Sequence, residues 1–395
     1  MRHVVSISTL WPNRVAPRFG TFVARSLEAL AGRGDWRVTV INPIGLPPIA
    51  LGRYRQLSDI DERSEEGGIT VHRPRFTLIP KIGGRRNAAA IARAALPVIE
   101  EIRAEHAIDL VDAQFFFPDG PAAARLARTL DLPLSIKARG SDITYWGDID
   151  YARDQMLGAA RHADGLLAVS EALRRDMAGL GMEEDRITVH YTGLDRDRFR
   201  PLAHTRLRSQ LGGELGLALP DNAPLLVSVG ALIERKGQHI ALDALTDVPG
   251  AHLVLVGRGE QEGQLKGQAR ALGLSGRVHF VGLLDHDVLP LMLSAADVMV
   301  LPSANEGLAN AWVEALACGT PVVTCDVGGA RELVTSNLAG RLVERDPRSV
   351  AAGINALLNN PPPGQAVADL VERFSWEENA ARLAEHYERL LAARG

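Results

Sequence analysis

Cysteine is nearly absent. The 395 residues hold two, Cys318 and Cys325, both in one apolar stretch. Two thiols in so long a chain build no disulfide framework, and they read as inert core side chains of a protein kept in a reducing, cytoplasmic compartment. Aromatic residues are sparse at 5%, so Ala, Leu and Val must fill the cores. Long hydrophobic runs are lacking too: none approaches the roughly 20 residues of a membrane span. The short apolar core of residues 1–10 lacks the length of a signal peptide and reads as a first β-strand. A net charge of −4 gives no basic footprint for duplex nucleic acid. Lysine is scarce: of 44 basic residues, only Lys81, Lys137, Lys236 and Lys266 are not arginine.

What is present is a repeated alternation. Short β-branched runs at 4–8, 38–42, 69–73, 110–113, 134–138, 166–170 and 187–191 are separated by Ala/Leu/Arg-rich helical stretches at 22–31, 87–105, 121–130, 151–160 and 171–180. The pattern resets after an Arg-rich connector at 195–209. A second series of strands follows at 225–229, 252–256, 278–281, 298–301 and 322–325, with helices at 238–245, 261–272, 287–295 and 310–318. Such alternation predicts parallel sheets covered by helices on both faces. The length suits two domains, and their boundary is placed at 202/203. Doubly wound domains take ligands beyond the C-terminal ends of their strands. A last amphipathic helix, 376–393, closes the second domain or packs back on the first.

The most informative stretch is 306–323, which follows the strand at 298–301. A helix beginning near Gly307 would aim free backbone N–H groups at the ligand crevice, a ready anion site. Glu314 is the sole charged side chain between Ala309 and Gly319, and an isolated carboxylate among apolar neighbours calls for a partner. Eight helical residues rise about 12 Å, so Glu306 and Glu314 would sit at the two ends of a long ligand such as a nucleotide diphosphate sugar. Lys236, followed by Gly237 in the loop after the strand at 225–229, could stabilise charge on a departing phosphate.

These residues together resemble the E-x7-E signature of the retaining glycosyltransferases of the GT-B fold, family 4 in particular. Matching features run along nearly the whole chain: Gly230 through Lys236-Gly237, Gly257 in Val-Gly-Arg-Gly, Phe280-Val281-Gly282, Asp297, Pro302-Ser303, Gly193-Leu194-Asp195 with Phe199-Arg200-Pro201, and Phe374-Ser375-Trp376. The resemblance implies two facing Rossmann-like α/β domains, with the final helix (376–395) returning to the N-terminal domain. It implies that Glu314 holds the ribose, that Glu306 and the amides of Leu308 and Ala309 hold the donor sugar, with Gly307 and Asn310 also in the donor site, that Lys236 neutralises the diphosphate, and that Leu284 packs or bonds the base. Two positions depart from the pattern. Ala231 stands where many relatives carry Arg, leaving Arg235 to supply that charge, and Arg139 stands where many carry His. Asp142, close by, would bind a sugar or acceptor hydroxyl or cap a helix. Gly20, in the loop after the first strand, is placed where the family touches donor and acceptor.

The implied activity is retaining transfer of a UDP- or GDP-linked sugar to a glycan or lipid-linked acceptor in cell-surface polysaccharide or glycolipid synthesis. No metal or other cofactor is expected, since HEXXH and Cys/His clusters are absent and no Asp-x-Asp is of the kind that holds a metal in other glycosyltransferases. A basic stretch from Lys81 through Arg85-Arg86 to Arg93 and Arg103 is a solvated face or a peripheral contact with anionic membrane. A GT-B-like sugar-nucleotide epimerase and a nucleotide-sugar-binding scaffold without turnover remain the other readings.

Overall fold

The computed structural model describes residues 1–79, 83–202, 207–285 and 287–394, apart from the Arg53 side chain. Lys81 and the expected boundary residue Ala203 lie outside the described residues. Contacts divide the chain into two units, Met1–Gly193 with Trp376–Gly395, and Leu194–Ser375. The division comes earlier than the 202/203 boundary read from sequence. The reason is that the Leu194 N–H donates to the Phe374 carbonyl (3.1 Å) and Phe199 is buried, which commits this connector to the second unit.

The first unit contains β1 (Arg2–Ile7), β2 (Trp36–Ile41), β3 (Ile44–Leu46), β4 (Arg63–Glu66), β5 (Ile69–His72), β6 (Arg75–Thr77), β7 (Leu110–Ala113), β8 (Leu134–Ala138), β9 (Gly165–Ala168) and β10 (Ile187–Val189). Eight of them form one sheet in the order β10-β9-β8-β7-β1-β2-β5-β4, while β3 and β6 pair separately. The large sheet is parallel except at its edge, where β4 runs antiparallel to β5. Alternating side chains point to opposite faces. Val5 and Ile7 join the helices Gly84–Glu105 and Asp119–Leu130 on one side. Val4, Val38 and Val40 join the helices Thr21–Gly32 and Trp376–Arg394 on the other. The last helix therefore completes the core of the first unit, with Tyr387 edge-on to Trp36 at 5.3 Å between ring centroids.

Under that helix runs a buried polar seam. Lys137 is fully buried with its Nζ 2.8 Å from His190 Nδ1, and His190 Nε2 lies 2.9 Å from the Asn379 carbonyl. Burial, reinforced by the Arg139 charge, holds Lys137 well below the ordinary ammonium range. Burial and then Lys137 do the same to His190, so the two nitrogens approach without two full charges.

The second unit contains β11 (Leu225–Val229), β12 (His252–Val256), β13 (Val278–Gly282), β14 (Val298–Leu301), β15 (Val322–Cys325) and β16 (Gly340–Val343), parallel and in the order β13-β12-β11-β14-β15-β16. Strand order reverses at β11, which lies between β12 and β14, so a crevice opens beyond the C-terminal ends of β11 and β14. Leu226, Leu253, Leu255, Val298 and Val300 form its core with the helices Gln238–Ala244 and Pro347–Asn359. Among the described residues no helix is long and apolar enough to cross a membrane.

Candidate functional site

The reversal point of the second unit gathers most of the residues marked by sequence. β11 ends at Val229, and Gly230 opens a loop that holds the single turn Glu234–Lys236 before the helix from Gln238. Gly257, after β12, backs onto Gly230. It adopts φ 149°, and a Cβ there would stand 1.9 Å from the Gly230 carbonyl oxygen, so only glycine fits. Beyond β14, residues 302–309 cross in front of this loop, and the Ala304 N–H donates to the Arg235 carbonyl at 2.8 Å.

The crossing segment is fixed from behind by Gly328. Its φ is 50°, and a Cβ would overlap the Glu306 carbonyl oxygen at 1.8 Å, while the Gly329 N–H donates to the Gly307 carbonyl at 2.7 Å. Sequence reading passed over Gly328 and Gly329; the signal available was a glycine pair three residues past the end of a strand. Held in this way, Gly307 and Leu308 bend, Ala309 stays extended and the helix begins at Asn310, as in the 310–318 read from sequence and three residues past the start near Gly307 taken for the anion site. The N–H groups of Leu308, Ala309, Asn310 and Ala311 donate to no group among the described residues. They remain a set of donors for an anion or a hydroxyl.

Lys236 and Glu306 were expected on different parts of a ligand, and here they hold each other. The Lys236 ammonium donates to Glu306 Oε1, with the two side chains only 14% and 9% exposed. Arg235 turns toward the same segment: it donates to the Asn305 carbonyl and lies 3.7 Å from Glu306 Oε2. Two cations thus face one carboxylate, and the excess positive charge is available to a further anion. Glu314 has no such support. Its carboxylate meets no donor or cation among the described residues, and burial lifts its pKa to about 7. A hydroxyl-bearing ligand would supply the missing donors. Leu284 is buried in the turn after β13.

The remaining expected residues lie in the first unit. Arg139, at the end of β8, donates from Nε to the Gln114 carbonyl (2.7 Å) and from a terminal nitrogen to Gln114 Oε1, and its guanidinium sits 4.9 Å over the Phe22 ring. Gln114, which sequence reading missed, therefore sets the direction of this guanidinium. Gln114 is anchored in turn to Asp112, which accepts from Ser6 Oγ at 2.8 Å. Asp142 is fully buried. Its oxygens accept from the N–H groups of Phe116 (2.8 Å), Arg139 (3.0 Å) and Gly140 (2.8 Å), so it shapes the loop and offers nothing to a sugar hydroxyl. Nor does it cap the short helix Ser141–Thr144, whose N-cap is Gly140. Gly20, at φ 73°, starts the helix Thr21–Gly32 packed against the Leu10 backbone, where a Cβ would be 2.5 Å from the Leu10 carbonyl carbon. Among the described residues no group of three His, Cys, Asp or Glu side chains could hold a metal ion.

Residues 216–382 match the family described as glycosyl transferases group 1, and residues 20–198 match glycosyltransferase family 4. A glycosyltransferase of Bacillus subtilis named for teichuronic acid biosynthesis is 28% identical over 386 residues, 95% of this chain and 90% of that protein. Glycogen synthase of Mycobacterium tuberculosis is 32% identical over 307 residues, 73% of this chain and 70% of that protein. Among solved structures, Anabaena HepE in complex with UDP-glucose superimposes with a TM-score of 0.75 at 22% identity, over 98% of this chain and 100% of that one. That likeness shows a shared fold.

Proposed function

Because the chain belongs to the group 1 glycosyltransferases of the GT-B fold, we propose that it moves a sugar from a UDP- or GDP-linked donor to a glycan or lipid-linked acceptor, in the synthesis of a cell-surface polysaccharide or glycolipid. One observation carries the donor class: a segment beyond β14 that joins unengaged backbone N–H groups, the Lys236–Glu306 pair and an unpartnered Glu314. The donor bound by the Anabaena protein and the polymer named for the Bacillus relative support the same reading.

In this proposal Lys236, helped by Arg235 in place of the arginine replaced by Ala231, neutralises the diphosphate. Glu314 accepts hydrogen bonds from the ribose hydroxyls. Glu306 and the amides of Leu308 and Ala309 orient the sugar, and Leu284 packs the base. Transfer retains configuration and needs no metal. The acceptor oxygen bonds to the anomeric carbon as its bond to the diphosphate breaks, on the same face, and the acceptor proton passes to a donor phosphate oxygen. The exposed Arg85, Arg86 and Arg93 of the helix Gly84–Glu105 would face an anionic membrane that presents the acceptor in the cytoplasm.

Thermal-shift measurements with UDP and GDP test the site. A nucleotide at 100 times its dissociation constant raises stability by about 2.7 kcal/mol, and Glu314→Ala removes most of that shift while the protein stays folded. An undiminished shift would overturn the ribose assignment. NMR of the product formed in EDTA tests the chemistry: the new linkage keeps the donor's anomeric configuration, and an inverted one refutes the front-face route.

A further inference from the structure

The first unit carries a second cavity, of about 350 Å³, that no part of the proposed donor chemistry uses. It is walled by residues 12–14 and 17, which follow β1, by Ile60 and Asp61 ahead of β4, and by Ser64, Glu66 and Arg73. Its volume falls within the ~300–1,000 Å³ of small-molecule sites.

The wall is built and rigid. Arg73 is 3% exposed and donates to Ser64 Oγ (2.7 Å) and to Glu66, whose other oxygen accepts from Trp11 Nε1 at 2.8 Å. Arg73 Nε is buried and has no hydrogen-bond partner among the described residues. Around this pair the lining groups keep hydrogen-bonding capacity to spare. Arg14 donates only to the Asp59 carbonyl, and Asp61 has no hydrogen bond or ion pair among the described residues. The Asn13 side-chain oxygen closes its own turn by accepting from Val15 and Ala16, both at 3.0 Å, while its amide nitrogen donates to no group among the described residues. Pro12, Pro17 and Ile60 supply apolar surface.

Two cations, Arg14 and Arg73, stand against two carboxylates, Asp61 and Glu66, so the cavity is balanced in charge and does not select an anion. Separate donors (Arg14, Asn13) and an acceptor (Asp61) beside an apolar patch match a ring with several hydroxyls on its edge and C–H groups on its face. We propose that this cavity of the first unit, lined by Asn13, Arg14, Asp61 and the Arg73–Glu66 pair, binds a neutral pyranose ring of the acceptor. The assignment to the acceptor rests on the glycosyltransferase reading above; the binding chemistry does not.

Saturation-transfer difference NMR on the full chain tests it. The probes are the methyl glycosides of glucose, galactose, mannose, N-acetylglucosamine and glucuronic acid. At least one neutral glycoside should receive saturation, and its signal should fall about five-fold or more in Arg14→Ala and in Asp61→Ala, the loss expected for one hydrogen bond. Both side chains are exposed, so the variants keep their fold, and their UDP or GDP thermal shift stays that of the wild type. Saturation of the glucuronide alone, of no glycoside, or to an equal degree in both variants overturns the proposal. Loss of the nucleotide shift in the wild type, with sugar saturation intact, refutes the donor reading and leaves this cavity standing.

Discussion

Glu314 titrates near 4.5 as a free side chain and near 7 in the folded protein, because burial penalises its charge and nothing nearby offsets it. The folded state therefore binds this proton more tightly than the unfolded chain. The stability it confers is complete below about pH 4.5 and is lost as pH rises toward 7. Glu314→Gln removes the penalty, so urea denaturation should show a gain of up to about 3 kcal/mol at pH 8 and none at pH 4; an equal gain at both would refute the assignment. This residue was legible in the sequence because a lone charge among Ala, Leu and Val stands out. Lys236 was legible for the same reason, as one of few lysines. Their geometry was not: no spacing announces that Lys236 and Glu306 are paired. Asp142 shows the limit clearly. A carboxylate that collects three backbone N–H groups reads, in one dimension, like one held ready for a substrate.

At the scale of the element, strands with β-branched runs were read to their bounds, β7, β8, β11, β12, β14 and β15 among them. Those invisible in sequence draw their order from a neighbour. β4 is Arg-Ser-Glu-Glu and exists because β5 offers an open edge; β3 and β6 are three residues each and pair with one another outside the large sheet. The helix Pro347–Asn359 went unread although its start is written plainly. Asp346 accepts from the Ser349 N–H at 2.9 Å, and Pro347 fills the first turn. The segment ahead of the helix start at Asn310 is held by the Gly328 contact. Gly328→Ala forces a side chain into φ 50° and against the Glu306 carbonyl, at a cost of roughly 1–3 kcal/mol in backbone strain alone. We expect a lower melting temperature together with a smaller nucleotide shift. A lower melting temperature with an unchanged shift would mean that Gly328 serves stability and does not place the segment 306–309.

For the whole molecule, the alternation of strands and helices revealed two doubly wound units, since most strands of the two large sheets are followed by a helix. The exact division was hidden in contacts between residues far apart in sequence, Leu194 with Phe374 above all. The helix Trp376–Arg394 covers Lys137 and His190, lends Asn379 to them and seats Leu383 and Tyr387 in the core of the first unit. It is the last described element of the chain, and it finishes the part that begins at Met1. On the ribosome this inverts the usual sequence of events. Residues 1–193 emerge early yet must wait, with one face open, until the helix has cleared the exit tunnel, whereas residues 194–375 have all they need beforehand. Brief protease treatment of stalled nascent chains that have released residues 194–375 but still hold 376–394 inside the tunnel should spare the later-synthesised unit and cut the earlier one. Chaperones that shield greasy surfaces would then be expected to linger on the front half of the polypeptide.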